Sequence, residues 1–142
     1  AGTRASAARI DTLIDRETAR GVATARIILA GFSQGGAIAL HAALRYPQPL
    51  GGVMALSTYL PLHESVASEA SAANRNLPIL MCHGLHDPML SLALGEKSRD
   101  FLVSLGYAIE WKPYPMQHEV CRSEIGDIAA WLTARLARSK AA

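Results

Sequence analysis

The sequence predicts an α/β domain, in which a parallel β-sheet carries helices on both of its faces. Short apolar segments typical of buried strands recur along the chain, and stretches with the apolar spacing of helices separate them. Parallel strands that are covered on both faces consist of nearly continuous apolar runs, and helical crossovers connect them. With 142 residues the chain is long enough for one domain with a substantial core.

The first half of the chain contains two predicted helices and two predicted strands. Three apolar residues with helical spacing indicate the first helix: Ile10, Leu13 and Ile14. The apolar segment 26–30 follows as a strand buried on both faces, like the centre of a parallel sheet. The helix that starts near Gly36 is apolar almost all round, which predicts its burial, and residues 52–57 form the next buried strand.

The second half continues the same alternation. Residues 78–83 form a third buried strand, after a long connection with room for a short helix. Segment 108–114 alternates apolar and polar residues and contains Pro113, which favours a strand near the sheet edge. Two helices flank this strand, the first marked by Leu94, Phe101, Leu102 and Leu105, the second by Ile125, Ile128, Ala129, Leu132 and Leu136.

Composition and charge exclude several classes of function. The net charge is only +2 and its signs are scattered, which argues against nucleic acid as a partner. The longest apolar run is far shorter than the roughly 20 residues of a membrane span, and the first residues include arginine and aspartate, unlike a signal peptide. Without clustered cysteines and histidines we expect no metal site. No G-x-G-x-x-G dinucleotide fingerprint occurs, and we expect no cofactor. Because no signal peptide is visible, we expect a cytoplasmic location.

The strand predicted at 26–30 also leads us to expect further polypeptide beside it in the sheet. It has the composition of a central strand, yet only one predicted helix precedes it. We therefore expect residues 1–142 to form a single domain truncated at its N-terminal side. Because an exposed apolar strand is a template for association, we expect a second chain to cover it, as a homo-oligomer or as a separate N-terminal segment.

The segment GFSQG at 31–35 places Ser33 between two glycines, after a predicted strand and before a predicted helix. It matches the G-x-S-x-G pattern of a nucleophile elbow, in which the glycines leave room for a tight turn. The helix that follows directs its N-terminal amides toward the site, which favours developing negative charge. The setting predicts that Ser33 is a nucleophile.

A serine nucleophile needs a base, and the base needs a carboxylate that orients it. Asp87 follows the strand at 78–83, and His118 follows the strand at 108–114. Both residues therefore lie at the carboxyl ends of parallel strands, where α/β sheets place their sites. Their order after Ser33, acid and then histidine, is the order found with this elbow. We predict that the three side chains meet.

The remaining histidines are weaker candidates for the base. Three of them are assigned to the buried helix, to an exposed connection and to the wrong side of the acid: His41, His63 and His86. His83 ends a strand beside a glycine, which favours a supporting hydrogen bond over catalysis. Glu119, next to the predicted base, either tunes the histidine or simply faces solvent.

Five segments in order resemble one family: GFSQGGAIALHAALRYP, ALSTYLPL, PILMCHGLHDPML, ALG and YPMQHEV followed by EIGDIAAWL. They are similar to the bacterial carboxylesterase and acyl-protein thioesterase (phospholipase/carboxylesterase) family of α/β-hydrolases. The resemblance implies the α/β-hydrolase fold, with a catalytic set of Ser33, Asp87 and His118. It also implies that the Gln34 N–H is one donor of the oxyanion hole.

The same resemblance implies that Leu60 and Met89 lie beside the acyl group. Apolar Met116 is a further candidate for an acyl pocket. For each of these three residues, a plain position in the core is the alternative. Two departures from the family pattern stand out. Gln117 occupies a position where the family usually has glycine, and the early Leu-His-Gly-x-Gly segment that supplies the second oxyanion donor does not occur in this sequence.

We therefore predict a serine carboxylesterase that hydrolyses short- to medium-chain carboxylic esters, or thioesters, through an acyl-enzyme. One alternative is a lysophospholipase or acyl-protein thioesterase. Another is a catalytically impaired hydrolase fragment that acts through self-association. A serine peptidase of the same fold is less favoured, because no segment resembles a peptide-binding extension.

Overall fold

The computed structural model describes residues 2–141. Four strands form one parallel sheet in the order β1-β2-β3-β4: β1 Ile28–Phe32, β2 Gly52–Leu56, β3 Ile79–Gly84 and β4 Ile109–Tyr114. Five α-helices precede, connect or follow these strands within the described residues: α1 Gly2–Ala19, α2 Gln34–Arg45, α3 Val66–Glu69, α4 Leu92–Ser104 and α5 Arg122–Ala141. The predicted alternation of strands and helices is confirmed, with α3 as the short helix in the long connection.

Hydrophobic cores lie on both faces of the sheet. Along β2, Val53 and Ala55 belong to the larger core, which α1, α2, α3 and α4 cover, and Met54 belongs to the smaller core on the opposite face. Trp131 of α5 completes the smaller core. Successive side chains of a strand point to opposite faces, so both faces of β2 and β3 must be apolar. The predicted parallel sheet with helices on both faces is confirmed.

Strand β1 differs from its prediction. It begins two residues late because Thr24–Arg26 form a short turn of 3-10 helix. Within residues 2–141 β1 lies at one end of the strand order and pairs with β2 alone. Ile28 and Leu29 are consequently half-buried and Ala30 is exposed, so the prediction of burial on both faces is wrong for this strand.

Helix α5 buries a face that only partly matches the predicted apolar stripe, of which Ile128 and Leu132 pack against the smaller core. Ile125 is 58% exposed, whereas Trp131 is buried. Trp131 packs so close to Gly52 that a Cβ atom at that glycine would lie 2.6 Å from the indole ring. The contact fixes the rotation of the helix about its axis and carries Glu124, which precedes the predicted stripe, into the core at 0% exposure.

The buried Glu124 carboxyl accepts a hydrogen bond from the Cys121 N–H at 3.4 Å, as in a helix capping box. Burial is the main cause that raises its pKa above the usual 4.5, against the weaker opposing effects of the Cys121 amide and the Cys82 thiol. Burial also raises the pKa of Cys82 to about 12. The Cys82 thiol is therefore inert and buried, and it packs as a small apolar core residue.

We expect Glu124→Gln to flatten the dependence of stability on pH. Because the pKa of Glu124 is raised in the folded state, its contribution is fully present below pH 4.5 and is lost as pH rises through the raised value. Glutamine does not titrate and keeps an oxygen for the Cys121 amide. Urea unfolding between pH 4.5 and about pH 8 should show a smaller loss of stability in this variant than in the parent chain.

Glu64→Gln is the matched control, because the Glu64 side chain is 75% exposed. It should leave the pH dependence of the parent chain in place. Equal slopes for the parent chain and Glu124→Gln would show that the Glu124 carboxyl ionises in the folded protein as freely as in the unfolded chain.

Candidate active site

The residue at the tip of the turn between β1 and α2 has a strained backbone. Ser33 adopts φ 57° and ψ −125°, a conformation that favours glycine and costs a side-chain-bearing residue about 1–3 kcal/mol. Its N–H donates to the Leu56 carbonyl at 2.8 Å, which extends the β1–β2 ladder by one bond. The turn therefore projects the Ser33 hydroxyl from the carboxyl edge of the sheet.

The two glycines that flank this turn differ in what they permit. A Cβ atom at Gly31 would overlap with the backbone of Gly35, so glycine is required there for the strand and the helix to approach. A Cβ atom at Gly35 would meet no atom of the described chain within 4 Å. Of the two glycines, Gly31 is therefore the one that permits the close approach of strand and helix predicted from the motif.

The three predicted side chains meet at the carboxyl edge. His118 Nε2 lies 3.0 Å from Ser33 Oγ, and His118 Nδ1 lies 2.7 Å from Asp87 Oδ2. If Nδ1 carries the proton and donates it to the carboxylate, Nε2 is left as the acceptor that faces the serine hydroxyl. The geometry is that of a nucleophile, a base and an orienting acid.

Hydrogen bonds hold the Asp87 carboxylate in its ionised form. Burial, the largest single influence, favours the protonated acid, but bonds from the Leu90 amide, His118 and the Met89 amide together outweigh it and lower the pKa of Asp87 below 3.8. Both amides donate to Oδ1 at 2.9 Å, which leaves Oδ2 for the histidine. Asp87 is therefore a fixed negative charge at neutral pH.

The loops that carry Asp87 and His118 are joined to each other beyond the ends of β3 and β4. Two backbone bonds connect them: Leu85 N–H to Tyr114 O at 2.8 Å, and His86 N–H to Met116 O at 3.0 Å. A Cβ atom at Gly84 would overlap with the Gln117 carbonyl, so the close contact requires glycine. The acid and the base are thus supported as one unit.

The amino end of α2 provides a hydrogen-bond donor beside Ser33. In residues 2–141 the first amides of this helix that bond within the chain are those of Gly36 and Ala37, both to the Ser33 carbonyl. No hydrogen bond of this described region uses the Gln34 N–H. That amide, at the positive end of the helix dipole, remains available for an anionic oxygen.

Phe32 is a site residue that the sequence did not indicate. Its ring lies 4.8 Å from the His118 imidazole, centroid to centroid, at an angle of 44°. It is 39% exposed, so it covers one side of the imidazole and presents the rest of its surface to solvent. The only feature of the sequence that could have indicated Phe32 is its position directly before Ser33, the predicted nucleophile.

The three residues predicted to bind the acyl group do not share one surface. Leu60 is buried in the larger core and Met116 in the smaller core, on opposite faces of the sheet. Met89 is 73% exposed in the Asp87 loop. A cavity of about 600 Å³ opens at the amino ends of the strands, beside Trp131, far along the sheet from the site. Of the three, Met89 alone offers free surface to a substrate.

The other candidates lie where they cannot act on Ser33. His41 is buried in α2, where burial lowers its pKa to about 4, and the His63 side chain is half exposed in the connection after β2. His83 is buried and bonds to a backbone carbonyl, which matches its predicted supporting role. Glu119 is exposed and also accepts a bond from the Gln117 amide at 3.0 Å, within the His118 loop.

Residues 2–141 contain neither a metal-binding cluster nor a membrane-spanning helix. No group of histidine, cysteine and acidic side chains there is arranged to hold a metal ion. No helix in that region has the length and apolar character that crossing a bilayer requires.

Comparison with known proteins connects this geometry to a family. A family model described as Phospholipase/Carboxylesterase matches residues 1–136. Acyl-protein thioesterase 1 of Gibberella zeae is 38% identical over 138 residues, which are 95% of this chain and 59% of that protein. A probable carboxylesterase of Oryza sativa subsp. japonica is 35% identical over 132 residues, 92% of this chain and 50% of that protein.

Solved structures show the same likeness. Arabidopsis thaliana SOBER1 superposes with a TM-score of 0.90 at 32% identity, over 94% of this chain and 64% of that chain. Zea mays acyl-protein thioesterase 2 superposes with a TM-score of 0.83 at 29% identity, over 95% and 65%. The chain thus spans 50–59% of the length of the curated relatives named above.

Proposed function

Because this chain belongs to the phospholipase/carboxylesterase family of α/β-hydrolases, we propose that it is a serine hydrolase that cleaves carboxylic esters or thioesters through an acyl-enzyme. One observation carries the proposal. The His118 imidazole is 3.0 Å from the Ser33 hydroxyl through Nε2 and 2.7 Å from the Asp87 carboxylate through Nδ1. No other arrangement of these three groups would activate the serine as directly.

In the first half of the reaction the Ser33 oxygen attacks the carbonyl carbon of the substrate. His118 Nε2 takes the hydroxyl proton as the oxygen–carbon bond forms, and the ionised Asp87 stabilises the imidazolium. The same proton then passes to the alcohol or thiol leaving group as its bond to the carbonyl carbon breaks. The product of this half is an ester between Ser33 and the acyl group.

In the second half a water molecule replaces the leaving group. His118 removes a proton from the water, whose oxygen attacks the acyl carbon, and returns that proton to Ser33 Oγ as the acid departs. No cofactor takes part in either half. The strained turn at Ser33 presents its hydroxyl to the substrate for the first attack, and the hydroxyl is restored at the end of the second half.

The free Gln34 N–H is placed to stabilise the negative charge that develops on the carbonyl oxygen. One such donor is worth roughly 100- to 1000-fold in turnover. A chain with this single donor and an aligned triad would therefore still exceed the rate of the reaction in water.

Short- to medium-chain acyl groups are the proposed substrates. The names of relatives include both a carboxylesterase and an acyl-protein thioesterase, so the two bond types are candidates for this chain. Phe32 lies against the His118 imidazole and Met89 is bonded through its amide to Asp87, and both exposed side chains provide apolar surface for an acyl chain.

The test is hydrolysis of matched acyl esters and acyl thioesters of increasing chain length by the purified chain, with Ser33→Ala as the background. We expect hydrolysis that depends on Ser33 and falls off for long chains. A folded chain that neither hydrolyses these substrates nor reacts with a fluorophosphonate probe would refute the proposal and favour a non-catalytic role.

The alternative, non-catalytic role is association with a second chain through the edge of β1. Within residues 2–141 this edge pairs with no strand, and Ile28 and Leu29 beside it are half-buried. Covering each such side chain fully contributes about 1.5–3 kcal/mol at most. We propose that a second chain, a further copy or a separate N-terminal segment, covers this edge.

Sedimentation of the purified chain across a dilution series tests this proposed association. We expect a species larger than the 15.1 kDa monomer, or a monomer that becomes more stable when an N-terminal segment is added. A well-folded monomer at every concentration, indifferent to any such segment, would contradict the proposal.

A further inference from the structure

His83 lies directly behind the loop that carries Asp87. It is on β3, is 1% exposed, and places Nε2 2.8 Å from the Leu90 carbonyl oxygen. A carbonyl only accepts hydrogen bonds, so His83 must carry a proton on Nε2 and donate it. The same nitrogen is 3.8 Å from Asp87 Oδ2, which is beyond hydrogen-bond distance.

Leu90 connects this histidine to the acid. Its N–H donates to Asp87 Oδ1 at 2.9 Å, while its carbonyl receives the proton of His83. Leu90, the last residue of the turn that begins at Asp87, is therefore bonded through its N–H to the Asp87 carboxylate and through its carbonyl to a buried side chain of the sheet. Without the His83 bond, the turn would be held by its local bonds and by the single bond between Asp87 and His118.

The His83 ring has little freedom to move away from Leu90. Trp111 of β4 stacks against it with ring centroids 6.2 Å apart and planes 20° from parallel. The Arg99 guanidinium lies 4.7 Å from the Trp111 ring centroid. Gly95 of α4 lies close by, and a Cβ atom there would be 2.7 Å from His83 Nδ1. Glycine at this helical position leaves the space that the imidazole needs.

We propose that His83 is a positioning residue for the reaction: through Leu90 it holds the 87–90 turn so that Asp87 Oδ2 faces His118. This inference rests on the proposed function, since it concerns the same acid and base. His83 itself touches neither the substrate nor the reacting atoms. It acts by fixing the direction of a carboxylate whose displacement by about 1 Å can cost 100-fold in rate.

His83→Leu and His83→Gln separate this role from simple packing. Leucine fills the space without a donor, whereas glutamine offers an amide N–H in place of Nε2–H. We expect the leucine variant to react with a fluorophosphonate probe about 100-fold more slowly than the parent chain, and the glutamine variant to retain most of the rate. Both are compared at equal folded fraction, measured by circular dichroism.

Gly95→Ala tests the same contact without altering His83. The added methyl group presses on the His83 imidazole, while alanine is a better helix former than glycine. We expect Gly95→Ala to fold and to react with the fluorophosphonate probe more slowly than the parent chain does. Gly126→Ala is the matched control, because it makes the same change in α5 where a Cβ atom meets nothing within 4 Å, and labelling should not change.

A second measurement does not depend on turnover. The proton between His118 Nδ1 and Asp87 gives a low-field proton resonance, which we expect to move or disappear in His83→Leu and Gly95→Ala and to persist in His83→Gln and Gly126→Ala. If the parent chain shows this resonance but no labelling, the proposed function fails while the positioning role is still tested. An unchanged resonance and labelling rate in folded His83→Leu or, should that variant not fold, in folded Gly95→Ala would overturn the inference.

Discussion

Replacing Ser33 with alanine is expected to abolish covalent labelling by a fluorophosphonate probe and to lower ester hydrolysis by roughly a million-fold. The expected loss is this large because Ser33 Oγ forms the bond to the acyl group in the proposed mechanism, and no other hydroxyl takes the place 3.0 Å from His118 Nε2 in the described part of the chain. Intact-mass measurement of the labelled protein, together with an ester assay, checks the prediction.

Ser91→Ala is the matched control, because Ser91 is an exposed serine that caps α4 through the Leu94 amide. It should label as the parent chain does. Labelling that persists in Ser33→Ala, or that peptide mapping places on Ser57 or Ser91, would remove Ser33 from the nucleophile's role. Unchanged circular dichroism of Ser33→Ala would show that the loss is chemical.

Asp87→Asn is expected to lower turnover by about ten-thousand-fold while the fold persists. The asparagine oxygen can still accept the Met89 and Leu90 amides, which turns its NH₂ group toward His118 Nδ1. An amide donor there requires Nδ1 to accept, so the ring proton moves to Nε2. The imidazole then cannot take the proton of Ser33.

The kinetic signature of this change is a fall in kcat with little change in KM, because substrate binding does not involve Asp87. Asp100→Asn is the control: Asp100 lies on α4 with its side chain 67% exposed, and its loss should not affect turnover. Equal activities of Asp87→Asn and the parent chain would mean that His118 is oriented by another group.

The meeting of Ser33, Asp87 and His118 could be predicted from the sequence because each follows a recognisable strand. In a parallel sheet the carboxyl ends of neighbouring strands lie at one edge, so chain order and strand order suffice to bring the three residues together. The required glycine at Gly31 was predictable for a similar reason, since the strand, turn and helix are adjacent in sequence. Local signals therefore specify the site.

Features that depend on packing between distant elements could not be predicted in this way. The face of α5 is chosen by the contact of Trp131 with Gly52, and the apolar stripe alone favoured Ile125. Leu60 and Met116 looked equivalent as apolar residues near the site, but the loops after β2 and β4 send them into separate cores. The paths of these loops depend on tertiary packing, which the apolar pattern does not specify.

The bonds that continue the ladder past the strand ends also have a consequence for folding. Ser33 is tied to β2 through Leu56, and the two loops that carry Asp87 and His118 are tied to each other, although Ser33 and His118 are 85 residues apart in the chain. Contacts of such long range form slowly, because the chain loses the entropy of closing large loops before these contacts can stabilise it. We therefore expect a refolding chain to acquire its secondary structure before Ser33 becomes reactive toward a fluorophosphonate probe. The appearance of that reactivity would report that the strands have reached their native register.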